Sequence, residues 1–518
     1  MYYRIRLLRI VAVTLVLSLG SPFLPIARSL ESLVAQTPAV QDQKAKADDL
    51  SQKGVQQFRG GQFKAALQSL QHALQIYRNI SDQADEASVL LFIGLTHSKQ
   101  NQYSQGLESF QKALEIFKQI NDRQGEASTL YLIGEIYQDL SQYSQALEKY
   151  QQALTIYKEL GVSEAPPKEA RSGIRAVLNN IGGVYHSRGQ HTKALEFYQQ
   201  ALAIAKELGD RSGIGSALNN IGTTYTDLGQ YNRALEALQQ ALEIRRALGK
   251  REEEATILGN IGSVYNLLGE YSKALEFFQQ ALAISKELGD HSGEETALNN
   301  IGVVYDNQSQ YTQALEFYQQ ALKIRKAIGD RAEEATTLNN IGNLYIKQGQ
   351  YSQALEFLQQ ALAISKRIGD RSGEATVLNN IGNIYDNQSQ YPKALEFYQQ
   401  ALAIHKEIGN RANEGNTLNN IGGVYKSLGH YPKALEFYQQ ALEISKAIGD
   451  KAGEAVTLNN IGVVYDNLSQ YPQALKSYQQ ALEISKAIGN QAGKAAALSN
   501  IGLTYSNLSQ YPQALEFY

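Results

Sequence analysis

The 518-residue sequence predicts an all-α solenoid of helix-turn-helix repeats, and three observations carry that prediction. A block built around Leu-Asn-Asn-Ile-Gly returns on a fixed beat. Its glycines are Gly54, Gly94, Gly134, Gly182, Gly222, Gly262, Gly302, Gly342, Gly382, Gly422, Gly462 and Gly502; ten of the eleven intervals are 40 residues and one is 48. Such a period marks units that bury their apolar faces only against their neighbours. Within each unit the apolar residues recur at helical spacing. Glycine, proline and aspartate fall where helices end and begin, so about 23 helices and no strands are expected.

The chain opens outside the array. Arg4, Arg6 and Arg9 precede an apolar run from Ile10 to Leu19, then Gly20, Pro22 and Pro25, with Val34-Ala35 before Gln36 as the cleavage site. That order is the logic of a secretory signal peptide over residues 1–35. It places the mature protein outside the cytoplasm, periplasmic or secreted, with membrane attachment only if the segment stays as an anchor. Residues 36–46 are polar and read as a flexible lead. Residues 47–174 hold repeats one to three, which diverge most from the consensus, with an inserted loop at 161–171 containing Pro166-Pro167 that accounts for the 48-residue interval. Residues 175–518 hold repeats four to twelve, the last stopping at Tyr518 inside its second helix with no polar cap.

Residues 215–254 show one unit in detail. Ala217, Leu218, Ile221 and Tyr225 give helix A its apolar face, and Gly222 inside that helix marks close helix approach. Gly229 and Gln230 end helix A, and Tyr231 leads into helix B. Ala234, Leu238, Ala241, Ile244 and Leu248 supply the stripe of helix B, and Gly249 sits at its left-handed C′ position. In later units Pro392, Pro432, Pro472 and Pro512 occupy the first turn of helix B. Asp210, Asp290, Asp330 and Asp370 are placed to cap the next helix A, with Asp330 and Glu333 fitting a capping box.

The offsets filled by Leu218, Ile221-Gly222, Tyr225, Ala234, Leu238 and Ala241 resemble the tetratricopeptide repeat signature, and the resemblance runs from residue 47 to 518. The usual unit is lengthened by six residues. The proline that commonly ends helix B is replaced by Ile/Leu-Gly-Asp/Asn. The long units are similar to those of kinesin light chains and of bacterial arrays that precede caspase-like CHAT domains. The resemblance implies a right-handed superhelix with helix A lining its concave face, and a protein–protein interaction scaffold that binds extended peptide or partner segments there. Two alternatives stand beside it: the sensor arm of a larger CHAT effector, and a structural solenoid that self-associates end to end.

On helix A, offsets −6, −2, +1 and +4 from the phase glycine share a face. The −2 position is Asn180, Asn220, Asn260, Asn300, Asn340, Asn380, Asn420, Asn460 and Asn500. An amide both donates and accepts, so such a row suits the main chain of a bound peptide, a role the resemblance also implies. Its alternative is to bond the neighbouring repeat and set the superhelical pitch. The peptide reading expects that replacing Asn300, Asn340 and Asn380 by alanine leaves the melting temperature nearly unchanged. The +4 position varies through His186, Thr226, Asn266, Asp306, Asp386, Lys426 and Asp466, as groove specificity would require.

A formal charge of −3 speaks against nucleic acid, which needs a basic stripe. Cysteine is absent, which excludes disulfides and thiolate chemistry. The histidines, His72, His97, His186, His191, His291, His405 and His430, fall at scattered phases. No metal site, catalytic residue or cofactor is therefore expected, and the nearest pair, His186 and His191, reads as a solvated helix end and turn. The run Glu252-Glu253-Glu254 reads as a solvated helix start.

Overall fold

The computed structural model describes residues 38–161, 168–329 and 331–517. The signal segment, Pro166-Pro167 and the Asp330 cap lie outside these residues. The chain divides into two compact units, with the boundary between Val184 and Tyr185. Among the described residues there are 24 helices, α1 (Pro38–Arg59) to α24 (Tyr511–Phe517), and no strands. Odd-numbered helices are helix A of their repeats, and even-numbered ones are helix B.

The local signals are where the sequence puts them. Asp210, Asp370 and Asp450 each accept a hydrogen bond from the main-chain N–H three residues on, at 2.8–2.9 Å. Gly249 takes φ +64° after helix B. The phase glycine is needed for packing: a Cβ on Gly302 would lie 2.7 Å from the Tyr318 ring of its own helix B. Tyr318 is 1% exposed between Ala314 and Ala321, both fully buried. Outside this core, the helix A tyrosine stacks on a helix B phenylalanine in most repeats, as in Tyr305–Phe317 at 5.4 Å. A lysine often lies over the same tyrosine ring, as Lys273 does over Tyr265 at 5.1 Å. Phe517 makes the same stack on Tyr505 at 5.6 Å.

Two stretches differ from expectation. Residues 38–46 are helical, part of α1: Lys44 pairs with Asp82 and Asp85, and farther along the same helix Asp48 accepts from Tyr77 at 2.7 Å. At the inserted loop, helix α7 (Lys168–Ser187) already starts at Lys168, so residues 168–171 are not loop.

At most junctions helix A touches helix A of the next repeat while the B helices do not approach as closely, which puts helix A on the inner side of the curve there. Within residues 185–518 the curve closes on itself. Arg411 N donates to Arg188 O at 2.9 Å, and Thr192 Oγ1 donates to Ile448 O at 3.1 Å, 256 positions away. Loops between helices A and B of early repeats therefore lie under loops of repeats more than five units later. The burial of one repeating position records this: Leu288, Ile328 and Ile368 are 39–45% exposed, whereas Ile408, Ile448 and Ile488 are 4–9% exposed.

Candidate functional site

The inner face is built from two hydrogen-bonded rows along the helices A. In the first, the −2 asparagine donates to the −3 asparagine of the preceding repeat, 41 positions back. Asn260 to Asn219, Asn340 to Asn299, Asn380 to Asn339, Asn420 to Asn379 and Asn500 to Asn459 span 2.7–3.2 Å. Helix A recurs every 40 residues with a small offset between neighbours, so equivalent turns meet one residue out of phase. The row breaks where the sequence does. Position 259 is glycine, and the amide nitrogen of Asn300, which would donate to it, is buried without an acceptor. Asn419 turns its amide to Thr457 Oγ1 at 2.9 Å instead.

Asn180 departs from the groove reading. It is 1% exposed and donates to Tyr131 Oη at 2.9 Å and Glu135 Oε1 at 3.2 Å. It is a buried packing residue, because repeat three carries Leu132 and tyrosine where later repeats carry asparagine. The Glu135 carboxyl beside it is pushed up to about 8, chiefly by burial. The remaining −2 asparagines, Asn220 to Asn500, are half-buried.

The second row links the +4 residue to the +5 residue of the next repeat, again at a separation of 41. Asn307 donates to Asn266 at 3.0 Å, Lys347 pairs with Asp306 at 2.8 Å, and Asn507 donates to Asp466 at 3.4 Å. Asp386 and Asp466 are both shifted upward by burial, Asp386 with Lys426 nearby to oppose the shift. Thr226 spends its hydroxyl on its own helix, donating to Gly222 O at 3.0 Å.

The −6 offset does not belong to this face. Ser216 and Thr296 turn to helix B of their own repeats, accepting from Arg245 at 2.6 Å and Arg325 at 3.0 Å. Both guanidinium groups are 2% exposed. Arg245 is held by Glu253 at 2.8 Å, and Arg325 by Glu295, whose carboxyl burial pushes up while Arg325 pulls it down. Glu254 likewise is not solvated: it is 5% exposed and pairs with Arg246 and Arg251. Paired arginines recruit these glutamates inward, which the dipole argument alone missed.

The histidine pair is also corrected. His186 and His191 are 8% and 3% exposed, their rings in edge contact at 4.9 Å, and His186 Nε2 lies 2.9 Å from Asp227 Oδ2. The phase scatter of the histidines concealed this, because Asp227 comes from the next repeat. His405 is buried too, and burial lowers it to about 4.

The tetratricopeptide repeat model matches residues 50–119, 85–159, 173–247, 253–327, 293–367, 333–407, 373–447 and 453–518. The chain belongs to the tetratricopeptide repeat family. It is thus a repeat scaffold of the kind that presents extended concave surfaces to other proteins. No curated relative matches it. Among solved structures, a Rap protein complexed with Competence and Sporulation Factor is 14% identical with a TM-score of 0.50, over 79% of this chain and 99% of that one. The apo form of RapI is 18% identical with a TM-score of 0.46, over 55% and 99%. BtubC (BKLC) from P. vanneervenii is 24% identical with a TM-score of 0.36, over 42% and 92%.

Proposed function

We propose that this protein is an interaction scaffold that holds an extended segment of a partner protein along the helix A face of residues 211–507, outside the cytoplasm. The observation that carries the reading is the half-buried amide row, interrupted at Gly259 and Asn419, flanked by side chains that change from repeat to repeat. Each inter-repeat bond uses one amide hydrogen of the −2 asparagine; an amide has a second hydrogen and a carbonyl oxygen, suited to the main chain of an extended strand whatever its side chains. The +1 residues Val303, Asn343 and Asn383 and the charges of Asp386, Lys426 and Asp466 then select among segments. The export reading rests on the order of charged, apolar and small residues in 1–35.

Because the amides also join repeats, alanine substitution of Asn340 and Asn380 lowers stability as well as binding, and the expectation of an unchanged melting temperature is set aside. Charge reversal beside the row separates the two effects. Peptides selected from a displayed random library on the intact chain should lose at least about tenfold in affinity to Asp386→Lys and Asp466→Lys. They should be unaffected by Glu396→Lys, an exposed helix B residue. Peptides indifferent to the inner pair, or lost with Glu396→Lys, would overturn the proposal.

A further inference from the structure

We propose that His186, His191 and Asp227 form a divalent metal site, with Zn²⁺ as the ion their chemistry best fits. The three residues combine a regular contact of the array with one departure from it: His186 and Asp227 are a +4/+5 pair of the second row, and His191 replaces the usual tyrosine. Position 191 is tyrosine in ten of the twelve repeats, position 186 lies in the variable +4 row, and position 227 is aspartate where later repeats carry leucine, asparagine, lysine or serine. All three residues meet at one point. His186 is in the last turn of α7, His191 opens α8 (His191–Glu207), and Asp227 closes α9 (Arg211–Asp227). One ligand atom from each lies within 4.8 Å of the others. Asp227 Oδ2 is 2.9 Å from His186 Nε2 and 3.8 Å from His191 Nδ1.

Zinc bonds imidazole nitrogen and carboxylate oxygen at about 2.0–2.2 Å. An ion at that distance from each atom fits among groups spaced this way after small side-chain rotations. Two imidazoles and one carboxylate favour zinc over the hard cations, which prefer oxygen alone. Three protein ligands leave a fourth position for water. The surroundings suit a cation: the half-buried Asp450, N-cap of the helix Lys451–Asn467, lies within electrostatic range of Asp227.

The position also gives the ion a job. Arg188 O and Thr192 Oγ1, which hold the later repeats against this loop, flank His191 on either side. A bound ion would fix the loop between α7 and α8 to the end of α9, stiffening the platform on which the superhelical turn closes.

The test is Zn²⁺ titration of the intact chain by calorimetry, alongside His186→Gln, His191→Gln and Asp227→Asn. The site predicts one ion per chain, at least tenfold weaker binding in each variant, and a rise in melting temperature with Zn²⁺ in the wild type alone. Equal binding by wild type and variants, or none, would overturn it. Should a variant fail to fold, histidine modification of the wild type with diethyl pyrocarbonate, mapped by mass spectrometry, reads the same site. Protection of His186 and His191 by Zn²⁺, with the exposed His72, His291 and His430 unprotected, supports the proposal; no protection of the pair contradicts it.

Discussion

Replacing Gly259 by asparagine should stabilise the protein, which is unusual for a substitution inside a packed helix. At five junctions the −3 asparagine accepts from the −2 asparagine of the next repeat at 2.7–3.2 Å. Gly259 removes that acceptor, and the Asn300 nitrogen is buried without one. Three gains add. Glycine to asparagine within a helix is worth about 0.3 kcal/mol. A new amide hydrogen bond contributes about 1 kcal/mol net. Relief of an unmatched donor belongs at the low end of its range of about 1–3 kcal/mol because Asn300 is only half-buried; it overlaps with the hydrogen-bond gain. The expected total is about 1–2 kcal/mol. A urea double-mutant cycle with Asn300→Ala isolates the bond, and a coupling of about 1 kcal/mol is expected. If Gly259→Asn has the same effect with and without Asn300, or destabilises by more than about 1 kcal/mol, the ladder explanation is wrong.

Gly302→Ala should cost about 1–3 kcal/mol in urea unfolding, because its Cβ would press on the Tyr318 ring at 2.7 Å. Arg325→Ser should cost about 3–5 kcal/mol by stranding the buried Glu295 carboxylate. Adding Glu295→Ala should restore most of it, since Ala335 and Ser365 fill these positions in the next repeat. Glu135 is held near 8 against an ordinary 4.5, so the folded chain binds its proton more tightly than the unfolded chain. Its contribution is fully present below about pH 4.5 and is lost as pH rises toward 8. The loss is about 5 kcal/mol at most, and nearer half that for a residue that keeps some exposure. Wild type should therefore weaken between pH 5 and 8 in denaturant melts, and Glu135→Gln should flatten that dependence.

Repeat period, helix ends and phase glycines were legible because each is a local signal repeated many times. The Asp caps and Gly249 depend only on residues within a few positions of themselves. What escaped was the relation between repeats. The asparagine doublet was visible, but its one-residue offset comes from how neighbouring helices A slide past each other, which no single unit encodes. Asp227 was missed as a partner of His186 for the same reason. Burial of Ile408, Ile448 and Ile488 arises from contact across a full superhelical turn, although the same residue types stand exposed at 328 and 368. The lead at 38–46 looked flexible because Asp82 and Asp85, the partners of Lys44, lie only on the following repeat.

The central claim, that the helix A face receives an extended partner segment, is tested most directly by placing a photo-crosslinking residue at Val303, Asn343 and Asn383 in turn, and at Glu316, Glu356 and Glu396 on the helices B. With a library-selected peptide bound, the account predicts cross-links from the first set, advancing along the peptide in register with the repeats. Cross-links confined to the helix B positions, or scattered without register, would contradict it.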